Sequence, residues 1–382
     1  MTTLSPHGKM DPESKPESAN MDEETYIPEV MQALYLPSGT YDKTAPPPPD
    51  KLVYKTDFPV PKPGPGQYLI KVQTAALSPD ELSWGSTLDA ATRRDMIIAR
   101  DFCGSIITTP NEDHRRKDGP KFTIGDQVIG VVTDVTERDG AAADFVLATE
   151  DELAFKPRNV TAAEAATIPL PALTAWQALF RHGGLDPEET SRGQSGSQLR
   201  VLMTAAWDHF VGMQALQLLR SRSLFPNGVW ICATCASPHN AETLRPNLGA
   251  DAAVDKPDIA ESFRSHKWAP VDIVLDSVGG WQTLKKLHPA AVIKEKGVVV
   301  SFSDPAPEAV MKEVMGKCGL RSKSLSVEPD GKALERINEL VEKEELRGYV
   351  EKVIDLFDGR AAMTRVGENR SIGRVVLRAN AG

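Results

Sequence analysis

Hydrophobic and polar positions along this chain change their period near residue 161. From Met31 onward short apolar runs alternate with turn residues: MQALYL, a proline-rich break over Ala45 to Asp50, then KLVYKTDFPVPKPGPGQYLIKVQTAALSPDEL. KFTIGDQVIGVV, from Lys121, adds strands around a Gly-Asp turn and Ala142 to Leu147 adds another, which predicts a mostly-β half. At Thr161 the spacing turns helical in TAAEAATIPLPALTAWQALF, with Thr161 as N-cap and Glu164 three residues on as its capping-box partner.

Beyond a loop at Gly183 to Gln198, strands and helices alternate. LRVLMTAAWDHFVGMQALQLLR, from Leu199 to Arg220, reads as strand, turn and helix, and VWICATCASPHN returns as a strand. DAAVD, VDIVLDSVGG and GVVVSFS are further strands, with helices near Ala241 to Leu248, Ile259 to Lys267 and Gln282 to Val292. Five strands with crossover helices imply a parallel sheet, to which Ser322 to Val327 adds one more before a helix from Gly331 to Glu345. VEKVIDLF and IGRVVLRAN look like strands that rejoin the first domain. Residues 1 to 29 are rich in Ser, Pro, Glu and Lys with almost nothing apolar, a disordered leader or a tail without function.

Composition narrows the partners. A chain of 382 residues exceeds the size at which one core stops growing, so two domains are the expectation. Lys plus Arg number 44 against 53 Asp plus Glu, a net charge of −9, and no basic cluster exceeds His114 to Lys117. Nucleic acid and anionic membrane are therefore poor partners. The four cysteines, at 103, 232, 235 and 318, form no disulfide framework, which fits a reducing compartment. Cys232 and Cys235 are formally CxxC, but residues three apart in a strand point to opposite faces. No apolar run reaches membrane-span length and the start lacks the apolar core of a signal peptide, so a cytoplasmic protein is expected.

The crossover after Leu199 is where chemistry is expected. A doubly wound sheet normally carries GxGxxG there, because glycine lets the backbone approach a pyrophosphate at a helix N-terminus. Here Ala205, Ala206, Trp207, Asp208 and His209 fill the turn, and only Gly212 survives. Asp208 at that terminus would accept the free N–H groups itself and repel a pyrophosphate.

Several strings together identify a resemblance. GPGQYLIKVQTAALSPDEL, ARDFCG, KFTIGDQVIG, GAAADFVLATEDELAFKP, AAEAATIPLPALTAWQAL and VDIVLDSVGG resemble, in order, blocks of the medium-chain dehydrogenase/reductases, specifically the zinc-independent quinone oxidoreductase and enoyl reductase branch. ATCASPHN resembles a loop of fungal trans-acting enoyl reductases. The resemblance implies an α/β, two-domain fold: a GroES-like, mostly-β catalytic domain over 30–172 and 346–382, and a Rossmann doubly wound parallel sheet over 173–345.

It also implies a site. Zinc-dependent members present a ligand cysteine in the segment that reads LSPDEL here and a four-cysteine structural loop; neither is present, so zinc is not expected, nor flavin. Ser78 and Ser83 are the candidate hydrogen-bond donors of the cleft, or else satisfied polar residues at a strand end, and Glu81 replaces the family's Asp. The lysine that the fungal reductases carry two residues beyond is missing. Thr174 matches a position beside the nicotinamide; Asp101 and Asp126 are expected to be architectural. For the cofactor the resemblance implicates Ala205, Ala206, Gly212, Gly279, Ser301 and Phe302. Ser237, His239 and Asn240 offer donors suited to a 2′-phosphate, or else form an ordinary helix cap, and Lys256 adds a positive charge. NADPH is therefore expected rather than NADH.

These readings lead to an NADPH-dependent enoyl or quinone reductase of fungal secondary metabolism. Its expected substrate is a polyketide-like alkene, free or carried on a synthase, and the chain a monomer or homodimer. The rewritten turn keeps two rivals open: a non-redox cyclase, isomerase or lyase on the same fold, and a non-catalytic partner that docks on a synthase.

Overall fold

The computed structural model describes residues 26–39, 41, 45–83, 94–110, 119–135, 137–192, 198–204, 210–235, 249–255, 259–276, 291–301, 321–324, 327–368 and 373–379. The first half holds eight strands: β1 (Val30–Leu36), β2 (Val53–Pro59), β3 (Gln67–Ala76), β4 (Met96–Ile97), β5 (Asp101–Thr108), β6 (Gln127–Val131), β7 (Phe145–Thr149) and β8 (Leu153–Phe155). Six more follow after residue 199: β9 (Arg200–Thr204), β10 (Trp230–Cys235), β11 (Ala252–Asp255), β12 (Val271–Asp276), β13 (Ile293–Ser301) and β14 (Arg321–Ser324). The chain then supplies β15 (Val350–Asp355) and β16 (Arg374–Arg378).

β9 to β14 make one six-stranded sheet in the order β11-β10-β9-β12-β13-β14, all pairs parallel. The strand order reverses between β9 and β12, the topological switch point outside whose carboxyl ends such sheets bind ligands. Period-two alternation buries both faces. Val201, Met203, Ile231, Ala233, Ile273, Leu275, Val298 and Val300 face one core, which also takes in the first half of the molecule. Leu202, Cys232, Val274 and Val299 face the other, beside Ile259 and Phe263 of the helix Ile259–Ser265. The crossover helix Phe210–Arg220 packs on the first face through Val211, Ala215, Leu216 and Leu219.

β1, β2 and β4 form a small sheet, while β15-β16-β3-β5-β6-β8, with β7 on β3, form a seven-stranded one. The two C-terminal strands thus return to the first half: β16 lies antiparallel to β3 and parallel to β15. Between them runs a helix, Gly359–Glu368, that the sequence reading left out; Gly359, Ala362, Met363 and Val366 bury at helical spacing, a signal present in the chain.

The stretch after Thr161 is helical but broken. Thr161 and Glu164 close the expected capping box on Ala162–Ala166, with Thr161 N donating to Glu164 Oε2 at 2.8 Å. Pro169 has no N–H to continue that helix and instead starts another, Pro169–Trp176, near whose start Leu170 N donates to Asp101. A wider π-turn, Gln177–His182, ends it. Gly331–Glu342 stops three residues short of the expected end, where Glu344 takes a left-handed φ of 61°. The helices expected near Ala241 to Leu248 and Gln282 to Val292 lie outside the described residues. No helix among the described residues is long and apolar enough to cross a membrane.

Candidate active site: a buried arginine between strand ends and the crossover helix

Three strand ends of the seven-stranded sheet meet one buried guanidinium. Arg374, at the start of β16, is 2 % exposed, and its guanidinium makes four hydrogen bonds and one ion pair. Nε donates to Leu77 O at 3.2 Å and Nη1 to Thr167 O at 3.3 Å, while Nη1 also stands in an ion pair with Asp101 Oδ2 at 2.6 Å. Nη2 donates to Ala76 O at 3.1 Å and to the Ser78 hydroxyl at 2.9 Å. The guanidinium also lies 5.7 Å from the ring centre of Phe210, the first residue of the crossover helix. One side chain therefore ties the end of β3, the start of β5 and the start of the crossover helix of the parallel-sheet half.

Glu81 completes the cluster. It is fully buried, and its oxygens accept Ser78 N at 3.0 Å and Ala99 N at 2.8 Å. Ala99 holds a left-handed φ of 68°, which a residue bearing a Cβ adopts at a cost of about 1–2 kcal/mol; the bonds to Glu81 and from Ala141 N hold it there. Burial, aided by the charge of Asp80, pushes the Glu81 carboxyl up to about 8, against the pull of the two N–H donors and Arg374. Burial raises Asp101 as well, opposed chiefly by Arg374 and the Leu170 N–H. Asp101 holds the direct ion pair with Arg374.

The candidate residues of the cleft fall at different places. Ser78 is 7 % exposed, and its oxygen accepts from Arg374. Ser83 ends the short turn Glu81–Ser83, half-buried. Thr174 is buried and spends its proton on Leu170 O at 2.6 Å, one turn back on its own helix. Asp126 closes its turn by accepting Thr123 N at 2.7 Å, and Asp101 joins helix start to guanidinium, so both are architectural. Gly212 is buried in the crossover helix and Ser301 ends β13. Ala205, Ala206, Trp207, Asp208, His209, Ser237, His239, Asn240, Lys256, Gly279 and Phe302 lie outside the described residues. Arg374 was not among the sequence candidates: 296 residues separate it from Ser78, and no local pattern links them.

At the switch point the ends of β9 and β12 are joined, Thr204 donating its hydroxyl to Asp276, both buried. These strand ends, with Ser301 paired beside Asp276, lie at the carboxyl edge where sheets of this strand order take ligands. A metal finds less. No three His, Cys, Asp or Glu side chains among the described residues converge as a metal centre requires. Cys103 is sealed in β5 with its thiol pushed up to about 12 by burial, and Ser78 faces a guanidinium that would repel a dication. The described residues present no donor set that fits zinc.

Comparison with known proteins gives the same architecture a family. Residues 248–377 match the model of the zinc-binding dehydrogenases. A probable zinc-binding oxidoreductase, mitochondrial, of Arthroderma benhamiae is 32 % identical over 319 residues, covering 82 % of this chain and 88 % of that protein. The NAD(P)H oxidoreductase RTN4IP1, mitochondrial, of Danio rerio is 26 % identical over 346 residues, 82 % of this chain and 84 % of that one. The solved quinone oxidoreductase of Coxiella burnetii superposes with a TM-score of 0.70 at 24 % identity, covering 92 % of this chain and all of its own. The chain belongs to the zinc-binding dehydrogenase family of the medium-chain dehydrogenase/reductase superfamily, and it is an oxidoreductase with a GroES-like and a Rossmann domain.

Proposed function

We propose that this protein is an NADPH-dependent, zinc-independent enoyl or quinone reductase. The observation that carries the reading is the start of the crossover helix, at Phe210, lying against the guanidinium that backs the buried Ser78, with no metal donor set among the described residues. When bound, NADPH supplies a hydride to the electron-poor carbon of an alkene or quinone. The chain's part is to hold that carbon in reach and to offer a donor to the oxygen on which charge accumulates. In this reading Ser78 is the donor, and Ser83 and Thr174 would line the cleft. Ala205, Ala206, Gly212, Gly279, Ser301 and Phe302 would hold the dinucleotide, and Ser237, His239, Asn240 and Lys256 its 2′-phosphate.

The finer reading is a polyketide-like substrate of fungal secondary metabolism, free or carried on a synthase in the cytoplasm. It rests on the ATCASPHN loop. Trp207 and Asp208 favour the second reading, a non-redox catalyst with a closed nucleotide crevice. Titration of the purified protein with NADPH, followed by nicotinamide fluorescence, separates the two. Saturable binding supports the reductase; no response, with substrate converted equally well without nicotinamide, supports the non-redox enzyme.

A further inference from the structure

Ser78 has one hydrogen bond too few. Its oxygen takes a hydrogen bond from Arg374 Nη2, yet no described residue accepts its proton, although the side chain is almost wholly buried. Buried hydroxyls normally use both capacities, so an unspent donor in a closed site is one kept for something else. Its other neighbours are engaged: Ser78 N is spent on Glu81, and Arg374 makes four hydrogen bonds and an ion pair.

The guanidinium stands on the acceptor side of that hydroxyl. Asp101 contacts Nη1, the branch that does not touch Ser78, so the cation presents its positive edge to the serine and its compensated edge to the carboxylate. A hydroxyl that accepts from a cation becomes a stronger donor, because the two bonds polarise each other. Leu77 and Pro79, the chain neighbours of Ser78, line a small pocket beside the crossover helix with Phe210, Glu351, Arg365 and Val375.

We propose that Arg374 is a positioning residue that fixes and polarises the Ser78 hydroxyl as the hydrogen-bond donor to the oxyanion that develops on an enone or quinone. The proposal rests on the reductase reading above and adds to it the source of charge stabilisation, a guanidinium acting through serine. In the step concerned, the nicotinamide C4–H bond breaks and its electron pair forms the new bond to the β-carbon. The alkene electrons move onto the carbonyl oxygen, which Ser78 stabilises without giving up its proton; water then protonates the enolate and completes the two-electron reduction. A quinone accepts the hydride in the same sense and leaves as hydroquinone.

Three measurements decide it, on the full chain. With NADPH and a short α,β-unsaturated ketone, Ser78→Ala lowers kcat about 100-fold, with NADPH affinity and substrate KM within about threefold of the unsubstituted protein. Arg374→Lys lowers kcat about tenfold when Ser78 is present and not at all in the Ser78→Ala background, since it acts through that hydroxyl. A purely structural arginine would cost the same in both. Because Arg374→Lys can fail to fold, a third measurement stands without it. Pentafluorophenolate, an enolate-like oxyanion, binds the intact protein about tenfold or more tightly than its uncharged methyl ether, and Ser78→Ala abolishes the preference. Equal binding of phenolate and ether, or an unchanged kcat in Ser78→Ala, overturns the proposal. Failure of the intact protein to reduce any enone or quinone would sink the reductase reading instead, and phenolate binding would still report on the Ser78 hydroxyl.

Discussion

Replacing Glu81 with Gln should flatten the pH dependence of stability over a defined window. Glu81 is fully buried, and its carboxyl is raised from an ordinary 4.5 to about 8. Between those values the folded protein keeps a proton that the unfolded chain releases, so its stability falls as pH rises through the window and levels off above it. At about 1.4 kcal/mol per pH unit, the full displacement amounts to about 5 kcal/mol, a large part of the 5–15 kcal/mol typical of a whole domain. Glutamine occupies the same space but turns its amide NH₂ toward Ser78 N or Ala99 N. That adds a cost of about 1–3 kcal/mol, the same at every pH. Urea unfolding followed by tryptophan fluorescence, from pH 5 to pH 9, gives both curves. Because the other titrating groups are common to the two proteins, their difference isolates Glu81. It should swing in favour of Glu81→Gln by several kcal/mol from the acid end to the alkaline end. Parallel curves, differing by less than about 1 kcal/mol in slope over the window, would refute the argument.

Three further substitutions test neighbouring parts of the account by the same unfolding measurement. Arg138→Met strands the buried Glu152, which depends on that arginine and on Thr133 and Thr149 to stay ionised; it should cost about 3–5 kcal/mol. The loss should be larger at pH 7 than at pH 4, because burial alone would raise the Glu152 carboxyl and its partners hold it below the ordinary value. Gly130→Ala would place a methyl 2.4 Å from the Phe102 ring and 2.8 Å from Leu153, an overpacking worth about 1–3 kcal/mol. Thr161→Ala opens the capping box and should cost about 1 kcal/mol.

Local pattern carried most of the architecture. Alternation in LRVLMT and VDIVLD placed Val201 and Leu202, or Ile273 and Val274, on opposite faces of the parallel sheet, and Thr161 with Glu164 marked a helix start that the structure contains. Pro169 divided what periodicity read as one helical stretch, since a ring without an N–H ends one helix and begins the next. The helix Gly359–Glu368 has buried residues at helical spacing, but it is a short segment between two strand-like runs whose alternation is the stronger pattern. The candidate site was only half visible. Ser78 and Glu81 are neighbours in sequence, so the segment could be singled out. Arg374 reaches them only because β16 pairs with β3, a register that depends on the whole sheet. Nothing in IGRVVLRAN distinguishes a buried guanidinium from a surface one.

The most direct test of the central claim is transfer of label from the cofactor. NADPH carrying deuterium at C4 of the reduced nicotinamide is incubated with the intact protein and an α,β-unsaturated ketone, and the product is read by mass spectrometry and NMR. A reductase of the kind described delivers deuterium from one face of C4 to the β-carbon, and NADPH is consumed in equal amount to product. Product formed at the same rate without NADPH, or carrying no deuterium, would contradict it.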